Sequence, residues 1–270
     1  MKRVFPQPSA AYWIVPASCA LVLLLIWLTG SETAVFLFLN RLGQFAGNTF
    51  WISITTLGDG FVAFVLILPF VYRKPREAWA LVLSWLVASI SVKVTKHLIV
   101  SYRPLFFLGP DAFRLISAQY RYYSFPSGHA TSVATFGGTL CLFYRNKWVW
   151  AVILIIALTI CFSRIAMGIH WPTDVLAGII GGWVVAWLTY LLSQVLSFGS
   201  RPIFQMLLAV LMLAAAITIF FYNHTNYPEA QPMLRAISLG SIGLALGGTY
   251  LAYRRKKKTC LMEAQQAEGG

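Results

Sequence analysis

Acidic side chains are scarce in this chain: eight Asp and Glu stand among 270 residues, against 21 Lys and Arg. Glu32, Asp59, Asp111, Asp174 and Glu229 lie far apart along it. No run of carboxylates therefore offers the oxygen cage that a hard divalent cation takes. Cysteine is scarce too. Cys19, Cys141 and Cys161 fall inside apolar segments and Cys260 near the C-terminus, a distribution that suggests neither a disulfide framework nor a thiolate metal site. They read as packing residues. Internal repeats and low-complexity tracts are missing. With charged residues of both signs at only 11%, no stretch marks a separate soluble domain.

What the chain has in abundance is apolar surface. Hydrophobic residues make up 59% and the mean hydropathy is +0.71, more than a soluble domain of this length needs. A membrane-spanning helix takes about 20 apolar residues. Segments 12–29, 78–95, 148–163, 174–197, 203–222 and 235–253 come close to that length. Segment 61–72 is about 18 Å long at 1.5 Å per residue, so it spans only if its helix begins earlier, in "FWISITTLGDG". Segment 131–144 needs a start near Gly128. The expected fold is all-α, a polytopic membrane bundle of eight helices. The run after Trp13 has no clear small-residue cleavage site, so it reads as a retained first helix rather than a signal peptide. Val35, Phe38, Leu39, Leu42, Phe45 and Ala46 recur at helical spacing, which suits a helix lying in the outer interface over 33–47. Asn223-His224-Thr225 fits a glycosylation sequon, a short pattern that also arises by chance.

The net charge of +13 does not point to nucleic acid, because of where the charge lies. With the N-terminus (Lys2, Arg3) cytoplasmic, alternate loops carry Arg73, Lys74 and Arg76, then Arg145 and Lys147, then Arg201, then the run Arg254 to Lys258. Those account for 13 of the 21 basic residues, a positive-inside pattern that keeps its phase through eight helices. Both termini are then cytoplasmic, and the basic tail 254–270 is expected to be disordered. The exceptions are informative. Lys96, Arg103, Arg114, Arg121 and Arg164 fall on the outer side, with His129, His170 and Asp174.

Three stretches carry these exceptions. In "KHLIVSYRP", Lys96 and Arg103 are seven residues apart, so a continuing helix would present both on one face. Pro104 pulls Arg103 toward an extended conformation and marks the helix end. Alone, the pair is equally two cations snorkelling at a membrane boundary. In "FPSGHATS", Pro126 and Ser127 are helix-start residues. Gly128 opens a first turn whose free N–H groups make an anion site, with His129 beside it. An ordinary helix cap with a bystander histidine reads the same way. In "SRIAMGIHWPTD", Arg164 ends one helix and Pro172 starts the next. The Asp174 carboxylate can reach back to one ring nitrogen of His170, leaving the other free to attack, as in the base–orienter pairing of hydrolytic triads. Its alternative is a structural Asp–His pair at a helix start. Together the three supply cations, helix-start N–H groups and two histidines, the inventory for holding a tetrahedral oxyanion and transferring it. With no carboxylate cluster, the preferred chemistry is metal-independent.

K-x6-RP at Lys96 to Pro104, PSGH at 126–129 and SR-x5-H-x3-D at Ser163 to Asp174 resemble the three-part signature of the type 2 phosphatidic acid phosphatase (PAP2) superfamily. All three are complete and in order. The resemblance implies a six-helix core within residues 1–197, with the helices of 198–253 outside it. It implies that His170 forms a phosphohistidine, that Asp174 orients it, and that His129 protonates the leaving oxygen and later activates water. Lys96, Arg103, Ser127, Gly128 and Arg164 are the implied phosphoryl ligands, with no cofactor and no metal. The implied partner is a lipid phosphate in the bilayer: undecaprenyl diphosphate by slight preference, or phosphatidylglycerol phosphate, phosphatidic acid or a lipid A phosphate. The expected location is a bacterial inner membrane, with the site facing outward. A lipid phosphotransferase using the same phosphohistidine is the enzymatic alternative, and an anion-binding transporter the non-enzymatic one. Separately from the resemblance, Asp59 and Lys93 lie at similar depth, roughly 20 Å from the inner ends of their helices at 1.5 Å per residue. Charges at that depth are usually paired, which predicts an Asp59–Lys93 ion pair.

Overall fold

The computed structural model describes residues 8–116 and 122–268. Its helices are α1 (Ala10–Thr29), α2 (Glu32–Leu42), α3 (Asn48–Thr56), α4 (Gly60–Val65), α5 (Pro75–Leu98), α6 (Pro104–Leu108), α7 (Gly128–Phe143), α8 (Lys147–Ala166), α9 (Pro172–Val195), α10 (Pro202–Phe221) and α11 (Gln231–Glu268). No strand occurs among the described residues; an isolated bridge joins Tyr102 and Tyr122. The protein is an all-α membrane bundle, as its hydropathy predicts. Six helices are long and apolar enough to cross a bilayer by themselves. The expected eighth span, α7, has 16 residues, about 24 Å at 1.5 Å per residue, and lies at the centre of the bundle against α5, α8 and α9.

The remaining span is broken rather than continuous. Helix α3 and the helical stretch Gly60–Phe70 are bent by 50° at residues 57–59. Asp59 causes and repairs the break: its backbone is extended, and its carboxylate accepts hydrogen bonds from the Phe61 and Val62 N–H groups, the usual work of an N-cap.

The bundle holds its site-bearing ends by unusually close contacts. A side chain at Gly178 would meet the Ser127 carbonyl oxygen at 2.8 Å, so the start of α7 lies directly on α9. A buried apolar cluster with Tyr12, Phe36, Trp171 and Trp183 at its centre ties α1 and α2 to α7–α9. Helix α2 is more than an interfacial helix. Its Phe36 is fully buried, and Asn40 donates to the Ile165 carbonyl and exchanges hydrogen bonds with the Arg114 backbone.

The two helices beyond the core form a hairpin packed on the broken span. Ala215, Ala216 and Ile219 of α10 and Leu234 and Ile237 of α11 enclose Val62 and Val65 of α4. Ser238 Oγ donates to the Ala216 carbonyl across the hairpin at 2.7 Å. Helix α11 runs through the basic segment to Glu268, where disorder was expected. Residues 251–268 contain neither Gly nor Pro, so nothing in them stops a helix already started upstream.

Candidate active site

Three loop segments, around residues 101–103, 122–127 and 169–171, meet at the site-bearing end. The Arg103 side chain donates to the Tyr122 and Ile169 carbonyls. Trp171 Nε1 donates to the Tyr102 carbonyl at 2.9 Å. The Ser127 N–H donates to the Asp174 carbonyl at 3.0 Å, and the Ser124 N–H to the Ser101 carbonyl at 3.1 Å. These bonds knit all three motifs into one unit. The helix geometry of the first motif differs from expectation. Helix α5 stops at Leu98 and Arg103 is extended, so Lys96 and Arg103 do not share one helical face, and Pro104 opens α6 instead of only ending a helix. The backbone between them turns back, and both side chains still reach the same cavity.

That cavity, about 290 Å³, is walled by Lys96, Arg103, Gly128, His129, Arg164 and His170 from the motifs. The motifs therefore turn three cations and two imidazoles toward one small space, which His224 and Asp59 also line. Arg103, Arg164 and His170 are buried, while Lys96 is half-buried and donates to the Tyr123 carbonyl. Arg164 donates from Nη1 to Thr55 Oγ1 at 2.5 Å. Its Nε and the Ser127 hydroxyl are buried without a protein partner. Unsatisfied buried donors carry a free-energy cost that an oxyanion would relieve. Ser127 is the N-cap of α7, yet its side chain makes no capping bond.

The nucleophile candidate is held from behind. His170 Nδ1 lies 3.4 Å from Asp174 Oδ2 and 3.4 Å from Ser124 Oγ. Asp174 Oδ2 also accepts from Ser124 Oγ at 2.5 Å and from the Trp171 N–H at 2.9 Å. Asp174 is thus fixed by two donors, and Ser124 forms a third corner of the His–Asp pair. Burial holds the His170 imidazole well below the usual histidine range, with the Arg103, Arg164 and Lys96 cations and His129 pushing the same way. The resting ring is neutral at pH 7, with a lone pair available.

Sequence reasoning did not single out Ser124, Thr55, Thr56 or the segment His224–Tyr227, all of which border the site. Ser124 lay two residues before the PSGH motif and carried no pattern of its own. The expected Asp59–Lys93 ion pair is not formed. Asp59 Oδ1 instead pairs with His224 Nε2 at 2.9 Å, because the α10–α11 hairpin brings a histidine to the break while Lys93 stays exposed. Arg114, grouped by the sequence with the outer-side cations, takes a structural role. Its guanidinium donates to the Gly43 and Ala46 carbonyls and to Asn48 Oδ1, tying α2 to α3. Arg121 lies outside the described residues. Asn223 folds its own loop, accepting from the Thr225 N–H and hydroxyl and donating to the Tyr227 carbonyl.

A second cavity, of about 240 Å³, adjoins the first and shares Asp59, Gly128 and His129 with it. It descends between α4, α5 and α7 past Ala63, Leu81, Trp85, Ala88 and Phe136, with Ser84, Lys93, Thr131 and Thr135 also on its wall, and its surface is mostly apolar. His129 therefore stands where a polar, cationic chamber meets a greasy one.

Comparison with known proteins agrees with this geometry. The model of the PAP2 superfamily matches residues 77–197. An undecaprenyl-diphosphatase of Sulfolobus acidocaldarius is 33% identical over 178 residues, 65% of this chain and 76% of that protein. A lipid A 4'-phosphatase of Porphyromonas gingivalis is 32% identical over 48% of this chain and 57% of its own length. Among solved structures, Aquifex aeolicus LpxE superposes with a TM-score of 0.52 at 25% identity, covering 58% of this chain and 93% of that one. The PAP2-type phosphatidylglycerolphosphate phosphatase of Bacillus subtilis shares the fold, with a TM-score of 0.50 at 22% identity over 67% of this chain and 96% of that one. Fold and sequence together define an integral-membrane phosphatase. The chain belongs to the PAP2 superfamily.

Proposed function

We propose that this protein hydrolyses a polyprenyl diphosphate, such as undecaprenyl diphosphate, through a phosphohistidine on His170, without a metal ion. The observation that carries the proposal is the pair of joined cavities. The cationic chamber suits a terminal phosphoryl group, and the apolar one, meeting it at His129, suits the chain on the leaving side. The similarity to an undecaprenyl-diphosphatase points to the same substrate class.

In this reading Lys96, Arg103 and Arg164 bind the non-bridging oxygens, and the Ser127 hydroxyl and the first N–H groups of α7 complete the cradle. The neutral Nε2 of His170 attacks phosphorus while Nδ1 faces Asp174 and Ser124. As the P–N bond forms, the bond from phosphorus to the bridging oxygen breaks. His129 gives that oxygen its proton, and the lipid monophosphate leaves toward the apolar cavity. His129, now neutral, takes a proton from water, whose oxygen attacks the phosphohistidine and releases inorganic phosphate with His170 restored. The cations stabilise the charge for which other phosphoryl-transfer enzymes use magnesium. The positive-inside pattern favours a bacterial inner membrane with both termini cytoplasmic and this chamber outside. Residues 1–197 are the catalytic core, 198–253 an added hairpin and 254–270 a cytoplasmic tail.

The test is purified protein offered a panel of lipid phosphates and diphosphates. Free phosphate released from the polyprenyl diphosphate, unaffected by EDTA and blocked by vanadate, is the expected result. An acid-quenched reaction should trap an acid-labile phosphoenzyme that His170→Ala lacks. Transfer of phosphate to an acceptor lipid would instead identify a phosphotransferase, and full activity in His170→Ala would refute the mechanism.

A further inference from the structure

The segment His224–Tyr227, between α10 and α11, belongs to neither the matched family region nor the three motifs, yet it walls the phosphoryl chamber. It is anchored at two places, one beside each proposed catalytic histidine. At one end, His224 Nε2 meets Asp59 Oδ1 at 2.9 Å. Asp59 sits in the Gly58–Gly60 turn, and that turn lies against His129: a side chain at Gly58 would come within 3.2 Å of His129 Cβ. At the other end, Tyr227 packs in the cluster of Trp51, Ala166, Met167 and Ile169, and Ile169 immediately precedes His170. Between the anchors the segment is internally bonded. Asn223 accepts from Thr225 and donates to the Tyr227 carbonyl, while Asn226 adopts a positive φ of 56°. These bonds within the loop and the anchors at its two ends hold it in place.

We propose that the 223–227 segment is a specificity-determining wall, latched by the Asp59–His224 pair, that admits phosphates carried on a linear lipid chain and excludes those carried on a saccharide. The inference rests on the lipid phosphatase reading above. Its physical basis is steric. Beside the chamber, past His129, a mostly apolar cavity runs between α4, α5 and α7, which a hydrocarbon chain can follow. A phosphate esterified to a sugar needs polar room beside the attacked phosphorus, and His224, Thr225, Asn226 and Tyr227 take up part of the chamber wall on which that room would have to be found. Selection of this kind works by excluding the wrong head group rather than by binding the right one more tightly.

The experiment compares hydrolysis of undecaprenyl diphosphate with that of lipid A, whose phosphates sit on a disaccharide, for the full-length protein in detergent micelles. The wild type should prefer the polyprenyl substrate. His224→Ala, which opens the latch, should lower the ratio of the two kcat/KM values about tenfold, equal to about 1.4 kcal/mol of discrimination, chiefly by raising the rate on lipid A. Thr225→Trp, which thickens the wall without touching the latch, should raise the ratio, and it decides the matter if His224→Ala does not fold. A ratio unmoved by either folded variant, or a wild type that takes both substrates equally, overturns the wall while leaving the phosphatase reading intact. Failure of the wild type to release phosphate from any lipid overturns the phosphatase reading itself.

Discussion

The motif-bearing core and the α10–α11 hairpin reach the same chamber by different routes. In the core, several of the proposed site residues are placed by their own neighbours. Ser127 and Gly128 start a helix, Pro172 starts another, and Asp174 turns back one helical turn to His170. Local spacing states these relations, so they can be read from the chain. The hairpin contributes His224 across 165 residues of sequence to Asp59, through packing of small and branched apolar residues on α4. Nothing in "YNHTNYPEA" announces that contact. The residues proposed to carry the chemistry sit in short patterned stretches; others that bound the chamber, such as His224, are brought in by tertiary packing and carry no signature.

That contrast can be broken or sharpened by variants whose effects should fall in a definite order. The largest belongs to the core. His170→Ala should lower kcat by about 10⁴-fold or more, the scale of losing a nucleophile from a concerted set, measured as phosphate release. Arg164→Met should follow, at about 10²- to 10³-fold, because it removes a buried charge aimed at the phosphoryl oxygens. Its detergent-solubilised protein should keep its elution volume. Ser124→Ala should cost roughly tenfold, the value of one hydrogen bond to a charged group, with kcat falling and KM little changed. Activity unaltered in Ser124→Ala would show that Asp174 needs only the Trp171 N–H.

A smaller effect tests the broken span, which lies outside the family-matched region. A Cβ at Gly58 would stand 2.5 Å from Ile160 Cγ2 and 3.2 Å from His129 Cβ. The isoleucine terminus can yield, but the histidine must move by a few tenths of an ångström. Gly58→Ala should therefore reduce kcat several-fold, about 1 kcal/mol of barrier, without loss of folded protein. The smallest effect is on stability. His170 is held below the ordinary histidine value of 6.5 in the folded state, so an unfolded chain binds the proton first. Stability is therefore full above pH 6.5 and falls below it, by up to roughly 1.4 kcal/mol per pH unit until the folded ring titrates. Thermal unfolding in detergent between pH 7.5 and 5 should show this fall, and His170→Asn should flatten it.

Much of the fold was legible because a bilayer permits few ways to satisfy a backbone, so long apolar runs become helices. The exceptions were places where a side chain outweighed the run. Asp59 captures two N–H groups and breaks a helix that hydropathy would continue. Arg103 leaves the helical face it shares with Lys96 on paper, because α5 ends at Leu98 and the Tyr102–Tyr122 bridge holds the backbone extended. Depth counting put Asp59 level with Lys93 correctly enough to place both beside one cavity, but depth says nothing of azimuth, and the partner was His224. Arg114 shows the same gap from the other side: a cation on the correct face became a structural tie, because three carbonyl and amide oxygens of the α2–α3 connection lay within its reach.

By itself, then, the sequence determined the all-α membrane architecture and pointed to the proposed site residues, because the helices follow from long apolar runs and the His170–Asp174 relation from spacing within one helical turn. Tertiary structure alone decided that Ser124 joins the His170–Asp174 pair, that the second span bends at Asp59, and that a hairpin outside the core walls the chamber. Those three depend on side chains meeting across helices, where shape and packing, not periodicity, select the partner.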